Sequence, residues 1–238
     1  MIRLATVGTG WIVGEFLKGV REAGGICYTA CYSRSQQTGE VFAQQWGAQK
    51  VYTDLAQMAA DEEIDAVYIA SPNRLHYEQS KLFLQHGKHV ICEKPITVEP
   101  EELQELQELA QQKNLIYIEA LIGVYLPQMK VLQGAVERLG PVHLARFDFS
   151  QYSSKYPAYL RGELPNIFNP QMATGGWMDL GIYCLYPAIM LFGVPDHVHA
   201  HARFLSTGAD GSGCVTLQYP DKTVVLTYSK TAQGTIGS

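Results

Sequence analysis

Cysteine is scarce in this chain and shows no paired pattern: Cys27, Cys31, Cys92, Cys184 and Cys214 are odd in number, lack a CxxC spacing and lie mostly among apolar neighbours. That argues against a disulfide framework and suits buried thiols in a reducing compartment. Positive charge is in deficit as well, with 18 Lys and Arg against 23 Asp and Glu, a net charge of -5, and the basic residues scattered. Proteins that grip a phosphate backbone cluster their Lys and Arg, so nucleic acid is not an expected partner. No apolar run approaches the roughly 20 residues that span a bilayer, and MIRLATVGTGW lacks a basic leader with a small-residue cleavage site. No membrane partner is expected, and a cytoplasmic location is the default. Internal repeats and low-complexity segments are also missing.

What is there is enough apolar material, 47% of 238 residues, for two packed layers or two small domains. The first half alternates short β-branched runs with helical patterns: IRLATVG, EFLKGVREAG, CYTACYS, a helix near Gln37 to Trp46, a short helix from about Asp54, and the run AVYIASP. A helix from about Leu75 to Gln85 and HVICEKP follow. This is the βαβ pattern of a parallel sheet. In EELQELQELAQQK, Leu103, Leu106, Leu109 and Ala110 fall at helical spacing, with Thr97 or Glu99 as caps and Pro100 in the first turn. The strand LIYIEA comes next. Beyond about Val124 the pattern shifts to two-faced strands, HLARFDFSQ, HVHAHARF, GCVTLQYP and TVVLTYS, which predicts a mainly antiparallel open sheet with one or two helices. Val215, Leu217 and Tyr219 alternate with Thr216 and Gln218, giving that sheet one apolar face and a surface through which a homodimer or higher homo-oligomer could form. The simplest division is an α/β domain over residues 1–122 and an α+β domain over 123–238.

The segment GTGWIVG follows the first strand and opens the first helix, where glycines let the backbone approach a pyrophosphate held by helix N-terminal N–H groups. Gly8 and Gly10 fit G-x-G-x-x-G, but Val13 stands at the third position and Gly14 comes one residue late. Helix and strand are therefore expected to pack less closely. A tight turn without a ligand is the alternative reading. At the end of the second strand, YSRS places Ser33 and Arg34 where an acidic residue would bind the ribose of NAD, and an arginine there fits the 2′-phosphate of NADP. NADP is preferred over NAD, the alternative being an arginine simply in solvent.

With GTGW, ASPNRLH, HVICEKPIT and GGWMDLGIYC in order along nearly the whole chain, the sequence resembles the glucose-fructose oxidoreductase / inositol dehydrogenase / MocA family. EKP together with the later glycine pair and aspartate carries most of the resemblance. It implies a Rossmann domain binding a nicotinamide cofactor, and a second domain bearing the substrate site and the oligomer contact. Many members oxidise or reduce sugars, polyols or related hydroxy compounds, so the expected function is hydride transfer between NAD(P) and a sugar, polyol or dihydrodiol-like alcohol or its carbonyl. An enzyme that recycles a tightly bound cofactor and a non-catalytic dinucleotide sensor are the alternatives.

Carried over by position, the resemblance implies cofactor contacts from Gly8, Gly10, Trp11, Ile12, Ser33, Arg34, Ser71 and Pro72, with Asn73 and His76 beside the nicotinamide half. Lys94 matches the active-site lysine, Pro95 a proline often in the cis form, and Glu93 a support for the ribose or the lysine. Tyr183 stands where many members carry histidine, as in members resembling glucose-fructose oxidoreductase and dihydrodiol dehydrogenase. Positions i and i+4 share a helix face, so Asp179 and Tyr183 are expected to look together into a cleft that Lys94 approaches from the other side. Tyr183 is the expected acid/base: a free phenol titrates near about 10, and an ammonium nearby lowers that value. Asp179 would orient the substrate hydroxyl or the lysine. Pro187 cannot donate an N–H to the Tyr183 carbonyl, which predicts a kink or a freed carbonyl.

Two further patterns stay open. His197, His199 and His201 share one strand face, as in some metal sites, although no acidic or cysteine partner lies near in sequence and no metal is expected. Tyr152, Tyr156, Tyr159 and Arg161 form either a substrate loop or an aromatic packing loop. The chain stops at Gly237-Ser238 soon after a strand, where chains resembling this family continue, so the sequence is read as C-terminally incomplete with an unpaired sheet edge.

Overall fold

The computed structural model describes residues 1–233; Gly237 and Ser238 lie outside the described residues. The chain divides into two compact units, Met1–Ala120 and Leu121–Ser238.

In the first unit the order is β1 (Ile2–Val7), α1 (Trp11–Ala23), β2 (Ile26–Tyr32), α2 (Gln36–Trp46), β3 (Lys50–Tyr52), α3 (Leu55–Ala60), β4 (Ala66–Ile69), α4 (His76–Gln85), β5 (His89–Cys92), α5 (Pro100–Gln112) and β6 (Tyr117–Glu119). The strands form one sheet in the order β3-β2-β1-β4-β5-β6, every neighbouring pair parallel. Strand side chains alternate between faces, and here both faces are covered. Ala5, Val7, Val67 and Ile69 pack with Met58 of α3, Phe83 of α4 and Leu106 of α5. Leu4, Ala66 and Tyr68 pack with Val13 and Leu17 of α1 and Phe42 of α2. This is the three-layer arrangement that near-continuous apolar strands require. The strand order reverses at β1, whose neighbours are β2 and β4, and a crevice opens beyond the strand ends at such a point.

Local signals set the helix starts. Asp54 Oδ1 accepts from the N–H groups of Ala56 (2.7 Å) and Gln57 (3.2 Å) and starts α3. Glu99 and Glu102 form a capping box ahead of α5, with Pro100 in its first turn. The late glycine of GTGWIVG serves helix packing. A Cβ at Gly14 would lie 2.8 Å from the Trp46 ring, so α1 packs closely on the end of α2, while Val13 is fully buried in the core. The expected loosening of helix against strand is replaced by this helix-to-helix contact.

The second unit contains α6 (Ile122–Tyr125), α7 (Pro127–Leu139), β7 (Leu144–Ser150), α8 (Tyr156–Leu160), a π-helical segment (Trp177–Gly181), α9 (Ile182–Phe192), β8 (His197–Phe204), β9 (Asp210–Gln218) and β10 (Thr223–Ser229). Its sheet runs β7-β10-β9-β8; β7 pairs with β10 in parallel and the other pairs are antiparallel. Val215, Leu217 and Tyr219 do share a buried face, together with Val224 and Leu226, and it packs on Cys184 and Ala188 of α9. The strand HVHAHARF differs from expectation: as the edge strand β8 it exposes all eight residues, Val198 to 58% and Phe204 to 67%. Covering by α9 stops short of this edge.

Two aspartates tie the first unit's turns to its sheet. Asp65 accepts from the Arg3 guanidinium (2.6 and 3.0 Å) and backbone N–H (2.8 Å), and this arginine holds its carboxyl at about 2. Burial alone would raise Asp61, but Lys50 (2.8 Å) and the Tyr52 hydroxyl (2.6 Å) bring it down to about 2 as well. An unfolded aspartate titrates at about 3.9, so the folded values lie below the unfolded ones. Their contribution is present above about pH 4 and is lost as pH falls through about 2. Denaturant unfolding of the protein should weaken across that window, and Asp65→Asn should lower stability at neutral pH and flatten the acid branch. An acid branch identical in the variant contradicts the assignment.

Candidate functional site

The crevice at the carboxyl ends of β1, β2 and β4 is built by one close approach. Gly8 has φ of 111°, and a Cβ there would lie 2.8 Å from the Ala70 carbonyl oxygen. Gly10 then caps α1 in an extended conformation, with open space within 4 Å where its side chain would be. Trp11 and Ile12 occupy the first turn of α1, whose leading N–H groups have no intrahelical acceptor. Trp11 is 78% exposed, whereas Ile12 packs on the core. These features make a cradle for an anion: bare backbone, helix N–H groups and no side chain in the way.

Beside it lies a cleft of about 350 Å³ lined by Gly8, Thr9, Ser33, Arg34, Ser35, Thr38, Ser71, Pro72 and Gln79. The structure thus brings Gly8, Ser33, Arg34, Ser71 and Pro72 together. Sequence reasoning missed Thr9, Ser35, Thr38 and Gln79. Ser35 was findable, since it sits just ahead of a helical pattern; its hydroxyl caps α2 by accepting from Thr38 N–H (3.4 Å), and Ser33 Oγ accepts from Ser35 N–H (3.3 Å). Arg34 is exposed at the start of this helix. Hydroxyls, a guanidinium and a helix start around one cleft fit a phosphate monoester. The residues present therefore fit a phosphorylated dinucleotide.

Ser71 and Pro72 lead into a 3-10 turn at Asn73–Leu75. The Ser71 hydroxyl donates to Gln79 Oε1 (2.7 Å). His76 is fully buried, its Nδ1 2.8 Å from the Pro95 carbonyl and its Nε2 2.9 Å from the Ser71 carbonyl. Burial pushes its pKa down. His76 therefore sits beneath the loops after β4 and β5, within reach of a carbonyl from each and, as a neutral ring, donating to one of them.

The EKP loop after β5 has a cis peptide bond between Lys94 and Pro95. Glu93 accepts from the Tyr68 hydroxyl (2.5 Å) and from the Lys94 backbone N–H (3.2 Å). Tyr68 is buried and stacks on Phe16 at 3.8 Å. A line of contact thus runs from the α1 core through Glu93 to the base of Lys94, which is half-buried.

In the second unit the glycine pair has a steric cause. Gly175 has φ of 149°, and a side chain there would overlap the Asp210 carboxylate; a Cβ at Gly176 would lie 2.7 Å from the Tyr228 ring. Asp210 Oδ2 accepts from the Trp177 N–H (2.7 Å). Burial, followed by the Asp210 carboxylate, pushes the Tyr228 phenol up, so Tyr228 stays protonated as a donor to Asp210. Asp179 follows within the π-helical segment and Tyr183 is the second residue of α9. The expectation that both lie on one regular α-helix is thus corrected: the backbone widens by one residue per turn through Trp177–Gly181, a form frequent at functional sites. Pro187 lies inside α9 and has no N–H to give to the Tyr183 carbonyl. Tyr183 packs edge-on against Phe149 with ring centroids 5.4 Å apart. Asp179 Oδ2 forms an ion pair with Lys230, a residue that sequence reasoning missed because a lysine at a strand end carries no motif.

Among the described residues no group of three or more His, Cys, Asp or Glu is arranged to hold a metal ion, and His197, His199 and His201 line the exposed strand β8. Tyr152, Tyr156, Tyr159 and Phe168 form an aromatic cluster with ring centroids 5.5 to 5.8 Å apart. No helix among the described residues is long and apolar enough to cross a membrane.

A parallel sheet reversing at a glycine-lined crevice defines a dinucleotide-binding protein of the Rossmann class. Comparison with known proteins makes this specific. Residues 2–121 match the GFO/IDH/MocA oxidoreductase family with its NAD-binding Rossmann fold, and residues 135–236 match a GFO/IDH/MocA C-terminal domain. The chain belongs to the GFO/IDH/MocA family of oxidoreductases. It is 42% identical over 230 residues to the scyllo-inositol 2-dehydrogenase (NADP(+)) IolU of Bacillus subtilis, covering 97% of this chain and 70% of that protein. It is 31% identical over 195 residues to mouse trans-1,2-dihydrobenzene-1,2-diol dehydrogenase, covering 80% of this chain and 56% of that one. Two solved structures share the fold: GenD2 from gentamicin A biosynthesis with NAD (TM-score 0.87, 21% identity, 98% of this chain and 67% of that one) and the 3-ketoreductase KijD10 of Actinomadura kijaniata with NADP (TM-score 0.86, 21% identity, 97% and 71%).

Gly8→Ala should impair dinucleotide binding, because a Cβ meets the Ala70 carbonyl and a positive φ costs a non-glycine residue on the order of 1–3 kcal/mol. Calorimetric titration with NADP+ should show an affinity at least about tenfold weaker; wild-type affinity contradicts the cradle.

Proposed function

We propose that the protein is an NADP-dependent dehydrogenase or reductase acting on a sugar, polyol or dihydrodiol-like alcohol or its carbonyl. The observation that carries this reading is the cleft at the end of β2, where Arg34, Ser33, Ser35 and Thr38 meet at the start of α2 and no carboxylate lines the wall. NAD would need an acceptor for its ribose hydroxyl there; a 2′-phosphate needs donors. The Bacillus relative is named for NADP+, in agreement with this reading. Gly8, Gly10, Trp11 and Ile12 would hold the pyrophosphate, and Ser71, Pro72 and Asn73 would flank the nicotinamide half.

The bound nicotinamide supplies the hydride acceptor or donor. The chain's own residues supply the proton chemistry. Tyr183 takes the proton from the substrate hydroxyl in oxidation and returns it in reduction. Lys94 provides the positive charge that favours the ionised phenol. Asp179 orients the substrate hydroxyl by accepting its hydrogen bond. Glu93, gripped by Tyr68, steadies the loop that carries Lys94. The region after residue 122 serves as the substrate-binding and oligomerisation domain, with the open face of its sheet as the homo-oligomer contact. The protein works in the cytoplasm on small molecules.

Arg34→Ala should weaken NADP+ binding by ~10- to 100-fold, the size of one lost charge-assisted contact, while NAD+ binding hardly changes; equal effects on both cofactors reject the phosphate role. Tyr183→Phe should lower kcat by ~10²- to 10⁴-fold with NADP+ affinity intact. Near-normal turnover in that variant rejects Tyr183 as acid/base.

A further inference from the structure

Two lysines are among the buried residues. Lys88 gives its ammonium to the Asp61 carbonyl (2.7 Å), a contact within the first unit that fixes a turn. Lys230 is different. It directly follows β10, and its backbone is pinned on both sides: its N–H donates to the Gly211 carbonyl (2.8 Å) and its carbonyl accepts from Ser153 N–H (2.9 Å). Its side chain is 7% exposed, and the ammonium pairs with Asp179 Oδ2, whose own side chain is 29% exposed. An ammonium so far from water persists only beside a compensating charge. Asp179 in turn sits on the segment whose start is fixed by the bond from Trp177 N–H to Asp210. Both partners are therefore held by rigid backbone.

This arrangement answers a difficulty in the proposed chemistry. Asp179 and Tyr183 are four residues apart, Asp179 in the π-helical segment and Tyr183 in the first turn of α9 that continues it. An uncompensated carboxylate beside the phenol disfavours the phenolate and pushes the phenol's titration up. We propose that Lys230 is a positioning residue of the acid/base site: it fixes the Asp179 carboxylate and cancels the charge that Asp179 would otherwise impose on Tyr183. The inference rests on the reading of Tyr183 and Asp179 given above.

The test follows the ultraviolet absorbance of tyrosinate on pH titration of the full chain, taking the difference against Tyr183→Phe to isolate Tyr183, in wild-type and Lys230→Met backgrounds. Lys230→Met should move the Tyr183 titration up by about one pH unit or more, Lys230→Arg should leave it in place, and Lys230→Met with Asp179→Asn should return it toward the wild-type position. If Lys230→Met does not fold, Lys230→Gln, which keeps a donor while losing the charge, gives the same readout. An unmoved titration in Lys230→Met, or a shift that persists when Asp179 is neutralised, overturns the proposal. With NADP+ and a polyol or diol that the protein oxidises, the rising limb of the kcat profile should move with the phenol. Where the phenol shifts but the limb does not, it is the acid/base role of Tyr183 that fails, and the electrostatic role of Lys230 stands.

Discussion

A carbonyl oxygen beside a bare Cα governs this molecule's first unit. The backbone at Gly8 passes so near Ala70 that a methyl group would collide with it, and that contact draws the ends of β1 and β4 together. Because β2 lies on the other flank of β1, the chain leaving β1 must turn sharply and enter α1 with its N–H groups aimed outward. The phosphate cradle is thus a by-product of sheet order and one missing side chain. The loops that complete it are fastened from below by His76, which meets the carbonyls of Ser71 and Pro95, and by Tyr68, which reaches Glu93. Buried polar contacts of this kind fix loops that apolar packing alone leaves free.

The second unit uses the same device with a carboxylate in place of a carbonyl. Asp210 occupies the space that side chains at Gly175 would need and accepts the first N–H of the following segment. Tyr183 follows the π-helical segment as the second residue of α9, with its ring against Phe149. Each reactive group proposed here has at least one rigid neighbour that sets its direction.

Much of the fold was legible in the sequence because period-two and helical patterns are directly set by burial. The β-branched runs became parallel strands, the Glu99–Pro100 signal became a capping box, and Val215, Leu217 and Tyr219 turned to the core as their alternation required. The exposed β8 was not legible, since alternation shows which residues share a face and is silent on whether anything covers it. In the site, Gly8, Ser33, Arg34, Ser71 and Pro72 announced themselves through motif and strand-end position. Ser35 and Thr38 were hidden in a helix start, and Asp210 and Lys230 lie 33 and 51 residues along the chain from Trp177 and Asp179, the residues they hold. Long-range pairs of that kind leave no local periodicity. The π-helical segment was illegible because the spacing of Asp179 and Tyr183 is equally compatible with an ordinary helix.

The most direct measurement is the appearance of reduced nicotinamide absorbance when the protein is incubated with NADP+ and a panel of cyclitols, sugars and trans-dihydrodiols. The account predicts reduction of NADP+ with at least one cyclic polyol or diol, and slower reduction of NAD+ with the same compound. Tight NADP+ binding with no reduction across the panel, and no oxidation of NADPH by the matching ketones, would contradict it and leave a protein that senses the dinucleotide without turning it over.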